Sequence, residues 1–162
     1  MSIRIDYEKV APDGYRALGG VYTYIKKSGL EKNLVELVFL RISQINGCAY
    51  CLDLHTRDLA EDGVAAEKLA LVQAWQEAGL VFDDRERAAL RWAESITRVA
   101  QTSVPDSDFQ AISAVFGEKE IVDLTIAIGL MNTFNRIAIS FRRPPKAALC
   151  AAKELDRLRE LP

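Results

Sequence analysis

The chain has 162 residues, of which 49% are apolar and 27% charged, and a formal net charge of −2. That is the size and composition of one ordinary globular domain, able to bury a core without disulfide staples. The charge lacks the basic excess of a nucleic-acid binder, and the longest near-apolar run, Leu124 to Met131, is far shorter than the ~20 residues of a membrane span.

Met1 to Tyr7 carries no apolar segment of the secretory kind. A cytoplasmic protein without nucleic-acid or membrane partners is therefore expected. In a reducing cytosol, closely spaced cysteines are catalytic or metal-binding more often than structural.

Nearly every segment reads as helix. The first starts at Asp13 or Gly14 and stops at Ser28-Gly29, with Gly29 suited to follow a helix end. The second runs from about Glu31 to Asn46-Gly47. Its centre, Leu34 to Leu40, is apolar almost all round and predicts burial on most sides. The third begins at or just before Cys48 and runs to about Glu61, before Asp62-Gly63. A fourth is expected over Ala65 to Ala78. The fifth opens on the capping residues Asp83-Asp84 and reaches about Val99. Its charged residues Arg85, Glu86, Arg87, Arg91 and Glu94 read as a solvated face.

A short sixth helix follows Pro105, capped by Asp106 or Ser107, and ends near Gly117. The seventh spans Glu118 to Phe141, and Arg142-Arg143-Pro144-Pro145 breaks it. Residues 146–162 are charged and amphipathic and read as a loosely packed terminal helix. No β-alternation, linker or internal repeat stands out, so one all-α domain over residues 1–162 is the simplest organisation. The apolar surplus of the second and seventh helices predicts burial between subunits.

The chemistry concentrates at Cys48, Cys51 and His55, the last being the only histidine in the chain. Steps of three and four residues return to one helix face. Cys48 follows a helix-ending Asn-Gly pair and so falls at the start of the next helix. Unpaired N–H groups and the helix dipole gather there and favour a thiolate. His55, one turn beyond Cys51, can take its proton directly or through one water.

Glu36 joins the group by a distance argument. It stands ten residues before Asn46, roughly 15 Å along a helix. His55 stands eight residues past Gly47, roughly 12 Å along the next. An antiparallel hairpin brings the two level. Glu36 also stands alone among apolar neighbours, where an unpaired carboxylate is costly. A histidine partner removes that cost and fixes the imidazole tautomer.

Other readings of these residues stay open. The cysteines can be two buried core thiols. Cys48, Cys51, His55 and Glu36 can supply four zinc ligands. The pair can exchange disulfides with other thiols, or sense redox state without catalysis. A thioredoxin-type fold needs a βαβ context that is not visible.

The pattern Glu36, eleven residues, Cys48-x-x-Cys51, three residues, His55 resembles the alkylhydroperoxidase AhpD-like group of the carboxymuconolactone decarboxylase family. Leu40 to Cys51 and Asp53 to Asp58 share the likeness, and Asp84 to Leu90 and Asn135 to Ala138 extend it weakly. The resemblance implies an all-helical bundle, with the CxxC opening a helix after an antiparallel hairpin, assembled as dimers, trimers or hexamers. It implies a peroxidase acting on hydroperoxides, with Cys51 as the peroxidatic thiol, Cys48 as the resolving thiol, and His55 and Glu36 as the proton relay. No cofactor and no metal are expected. An external dithiol, dihydrolipoyl or thioredoxin-like, is expected to reset the pair. One position departs from the group. Its best-known members carry a second histidine between the cysteines, and this chain has Tyr50, a hydrogen-bond donor but a poor base near neutral pH.

The remaining candidates are weaker. Tyr50 and Asn135 are candidates for the pocket wall, although Asn132 and Asn135 first read as structural groups needing partners in an apolar helix. Tyr22 and Tyr24 read as core or interface before pocket. Trp75, Trp92, Phe39 and Phe134 read as core, and Cys150 reads as a bystander.

Overall fold

The computed structural model describes residues 3–159, and among these there are helices and no strands. The first helices are α1 (Tyr7–Val10), α2 (Pro12–Lys27), α3 (Lys32–Asn46), α4 (Ala49–Glu61) and α5 (Ala66–Leu71). They are followed by α6 (Asp84–Thr97), α7 (Val99–Thr102), α8 (Asp106–Ser113), α9 (Glu118–Phe141) and α10 (Lys146–Arg159). Two short 3₁₀ turns, Val72–Ala74 and Gly79–Val81, lie between α5 and α6.

α3 is the axis of the fold. Val38, Phe39 and Ile42 enter one core cluster with Trp92 of α6, Ile112 of α8 and Leu124 and Ile128 of α9. Leu37 and Leu40 enter a second with Leu59 of α4, Val72, Trp75, Phe82 and Leu90. Two cores on opposite sides explain why the helix is apolar nearly all round. They also correct the expectation that its surface awaits another subunit: the monomer uses it. α9 packs on α2, α3, α6 and α4, so its apolar composition serves internal packing along most of its length. It still leaves Val122, Ile126 and Ile139 exposed.

The helices begin and end where the sequence puts its caps. Asp83 accepts a hydrogen bond from the Glu86 N–H, and Glu86 accepts one from the Asp83 N–H. At the head of α9, Glu120 accepts from the Gly117 N–H.

The expected fourth helix is cut short at Leu71. The turns after it bury Val72 and Trp75. The guanidinium of Arg87 donates to the carbonyls of Trp75, Gln76 and Gly79, replacing the helical bonds those carbonyls forgo. The solvated reading of the α6 charges holds for Arg85 and Arg91, which are exposed, and is corrected for Arg87 and Glu94. Glu94 accepts from Arg41 Nε at 2.7 Å and from the Trp75 indole at 2.8 Å, and the Arg41 and Glu94 side chains are only 12% and 15% exposed. Glu94→Ala is expected to cost about 3 kcal/mol, because it strands a mostly buried guanidinium and an indole N–H. Urea unfolding of the variant measures this, and a loss below about 1 kcal/mol would contradict it.

α10 is tied down at its start, where the Lys146 N–H donates to Asp53 Oδ2 of α4 at 2.8 Å. Residues 147–152 are exposed, including Cys150. The last three residues of the expected terminal helix, 160–162, lie outside the described residues.

Candidate active site

The site is built at the α3–α4 turn. Gly47 ends α3 in the left-handed conformation, φ 70°, which costs a residue with a Cβ roughly 1–2 kcal/mol. Cys48 then occupies the N-cap of α4, and its sulfur accepts from the Cys51 N–H at 3.4 Å. The two cysteines are joined as a disulfide, with Cα atoms 5.3 Å apart, and both are buried.

α3 and α4 run back along each other, and the hairpin brings Glu36 and His55 together. Glu36 Oε2 lies 2.7 Å from His55 Nδ1, and each residue is 4% exposed. The Phe39 ring sits against the imidazole, 5.4 Å between centroids at 58°. This pins Nδ1 to the carboxylate and leaves Nε2 as the nitrogen free to exchange a proton.

Cys51 and His55 line one cavity of about 340 Å³. Its wall is largely aromatic, from Tyr7, Tyr15, Tyr22, Tyr50 and Phe134. Burial, reinforced by the charge of Glu8, pushes the Tyr15 phenol up to about 12. Burial also raises Tyr7, and burial with the charges of Glu36 and Asp58 raises Tyr22. Near neutral pH these phenols are hydrogen-bond donors and not bases. The same cavity contains Asp58, one turn past His55, whose carboxyl is raised by burial and by Glu36.

Tyr50 lines the cavity, and Asn135 does not. Asn135 is fully buried, donating to Ser43 Oγ at 3.1 Å and accepting from Asn46 at 2.9 Å. Asn46 also donates to Asn132 at 3.0 Å. These amides clamp the end of α3, and hence the start of the cysteine turn, against α9. Tyr22 lines the cavity, whereas Tyr24 donates to Asp123 at 2.7 Å. The wall residues had one local signal, since Tyr15, Gly19 and Tyr22 recur on one face of α2.

The four-ligand zinc arrangement does not form. Among the described residues, the metal-competent cluster is Glu36, His55 and Asp58, with donor atoms within 4.8 Å of one another, and neither cysteine belongs to it.

The profile of the Carboxymuconolactone decarboxylase family matches residues 12–95, the stretch that holds the hairpin and the cysteine helix. The chain belongs to this family. An uncharacterised protein of Bacillus subtilis, YdfG, is 34% identical over 86% of this chain and 95% of its own length. The alkyl hydroperoxide reductase AhpD of Rhizorhabdus wittichii is 44% identical over 58 residues, 36% of this chain and 32% of that protein. A solved structure from Agrobacterium tumefaciens, described as a protein of unknown function and a candidate antioxidant defence protein AhpD, superposes with a TM-score of 0.86. It is 40% identical, over 89% of this chain and 98% of that one. The debrominase Bmp8 shares the fold at a TM-score of 0.72 and 21% identity, over 86% of this chain and 75% of that one. This member of the carboxymuconolactone decarboxylase family thus has an AhpD-like all-α fold, and that fold carries more than one chemistry.

Proposed function

We propose that the chain is an AhpD-like thiol peroxidase that reduces organic hydroperoxides through Cys51 and Cys48. The observation carrying this reading is that Cys51 shares a cavity with His55, whose Nδ1 is held by the buried Glu36 at 2.7 Å. A thiolate needs a base beside it, and a base needs a carboxylate to hold its tautomer and its positive charge.

In the reduced protein, His55 takes the Cys51 proton and Glu36 stabilises the imidazolium. The Cys51 thiolate attacks the terminal oxygen of the hydroperoxide, the O–O bond breaks, and Cys51 becomes a sulfenic acid. The departing alkoxide takes a proton from His55 and leaves as the alcohol. Cys48 then attacks the sulfenic sulfur, water leaves, and the disulfide forms before overoxidation. An external dithiol, dihydrolipoyl or thioredoxin-like, returns both thiols by exchange. The aromatic wall suits a hydroperoxide with an apolar body. A cytoplasmic setting supplies the reductant. The exposed Val122 and Ile126 of α9 support a homo-oligomer, whether dimer, trimer or hexamer.

The test is stopped-flow reaction of the pre-reduced protein with cumene hydroperoxide and with hydrogen peroxide. Thiol loss at least about 100-fold faster than free cysteine is expected for cumene hydroperoxide, from base catalysis alone. Loss no faster than free cysteine would reject the reading and leave disulfide exchange, with Tyr50 in place of a histidine as its cause.

A further inference from the structure

The reaction as derived uses Cys51, Cys48, His55 and Glu36 and gives no task to Asp58. Yet Cys51, His55 and Asp58 follow one another at steps of four and three residues and share one face of α4. All three line the cavity. Donor atoms of Glu36, His55 and Asp58 lie within 4.8 Å of one another, which puts the Asp58 carboxylate at the reacting end. Asp58 is half-buried. The cations that face it are held by other acids, Arg57 by Asp53 at 3.4 Å and Lys32 by Asp62. Its side chain caps no helix. An unpaired carboxylate in that position is costly, and no helix end or ion pair of the fold uses it.

The rest of the cavity offers an anion nothing in return. Among the described residues that line it there is no lysine and no arginine. Two cations lie over its tyrosines without lining it. Arg143, over the Tyr7 and Tyr50 rings, is paired with Glu8. Lys26, 5.4 Å from the centre of the Tyr22 ring, is exposed. His55 can turn positive, and Glu36 already balances that charge. The cavity therefore presents net negative charge where the peroxide reacts, and forming the Cys51 thiolate adds to it. A carboxylate brought there loses hydration and meets a like charge, a juxtaposition that costs several kcal/mol when desolvated and less at a half-exposed group. Placing an uncompensated charge against the wrong ligand is one of the two ways a site gains specificity.

We propose that Asp58 is a specificity-determining residue whose charge bars hydroperoxides carrying a carboxylate near the peroxide, leaving uncharged organic hydroperoxides as the substrate class. The inference rests on the peroxidase reading and narrows its substrate. A small uncharged hydroperoxide lays its apolar body against Tyr15 and Phe134 and turns its peroxide to Cys51. Its carboxylated counterpart either brings the charge in beside Asp58 or keeps it in water and holds the peroxide away from Cys51.

The test uses full-length protein in a Cys150→Ser background, since Cys150 is exposed. The disulfide is formed with diamide, so the first measurement does not depend on peroxide chemistry. Isothermal titration at pH 8 compares binding of two product alcohols, 4-carboxycumyl alcohol and its isosteric, uncharged 4-carboxamide. The carboxamide is expected to bind about tenfold more tightly or better. Asp58→Asn removes the charge and no ion pair, so it should fold, and it should bring the two affinities to within about threefold of each other, mainly by strengthening the acid. Asp58→Glu keeps the charge and should keep the preference. The second-order rates of the two corresponding hydroperoxides with pre-reduced protein should follow the same order and respond alike to both substitutions. A preference that Asp58→Asn leaves intact would assign it to the apolar wall and overturn the proposal, as would equal binding by the parent protein. Binding that follows the charge at residue 58, with neither hydroperoxide oxidising the thiols, would uphold the selection and reject the peroxidase reading, so the two fail separately.

Discussion

Cys51→Ser is expected to abolish hydroperoxide turnover, by on the order of 10⁴-fold or more, the scale on which losing a nucleophile acts. Cys48→Ser is expected to behave differently. Its Cys51 still has His55 in the same cavity, so each chain should reduce one hydroperoxide and then stall. The stalled form should carry one oxygen on Cys51, then two as excess peroxide oxidises the sulfenic acid further. Both cysteines are buried, and serine nearly matches their volume, so the variants should fold. Product alcohol per chain and intact mass give the two readings. Steady turnover by Cys48→Ser would remove Cys48 from the resolving role.

The second large effect is expected at Glu36. Glu36→Gln keeps a hydrogen-bond acceptor for His55 Nδ1 but removes the charge that stabilises the imidazolium. A loss of about 100-fold in the rate of thiol oxidation is expected, about 2.7 kcal/mol of barrier. The loss should fall on the reaction with peroxide and leave dithiol reduction of the disulfide much less affected. A variant as fast as the parent would leave Glu36 as a structural partner of a buried histidine and no more.

The Glu36–His55 contact was legible because it depends on one local count. Two helices joined by a tight turn place residues at equal distances from the turn side by side, and Asn46-Gly47 marks the turn. α9 was legible for a related reason, since Gly117 and Pro144-Pro145 bound a long apolar helix. Apart from Tyr50, which its place between the cysteines made a candidate, the aromatic wall was not legible, because Tyr7, Tyr15 and Phe134 come from three helices and meet only through tertiary packing. The break after Leu71 was hidden for the same reason. Nothing near Val72 announces it, and the group that satisfies the broken turn, Arg87, lies on α6. Glu94 looked like one more surface charge because its partners Arg41 and Trp75 are distant in the chain. Asn135 illustrates the opposite case. Its need for partners was readable from an apolar helix, and Ser43 and Asn46 meet it, away from the cavity.

The most direct test of the central claim is a titration of the pre-reduced Cys150→Ser protein with cumene hydroperoxide. The account predicts that one equivalent of hydroperoxide consumes two thiols per chain and yields one equivalent of cumyl alcohol. The peptide map should then contain Cys48 linked to Cys51 within one chain. Thiols that survive the titration, or that are lost without alcohol formation, would contradict it.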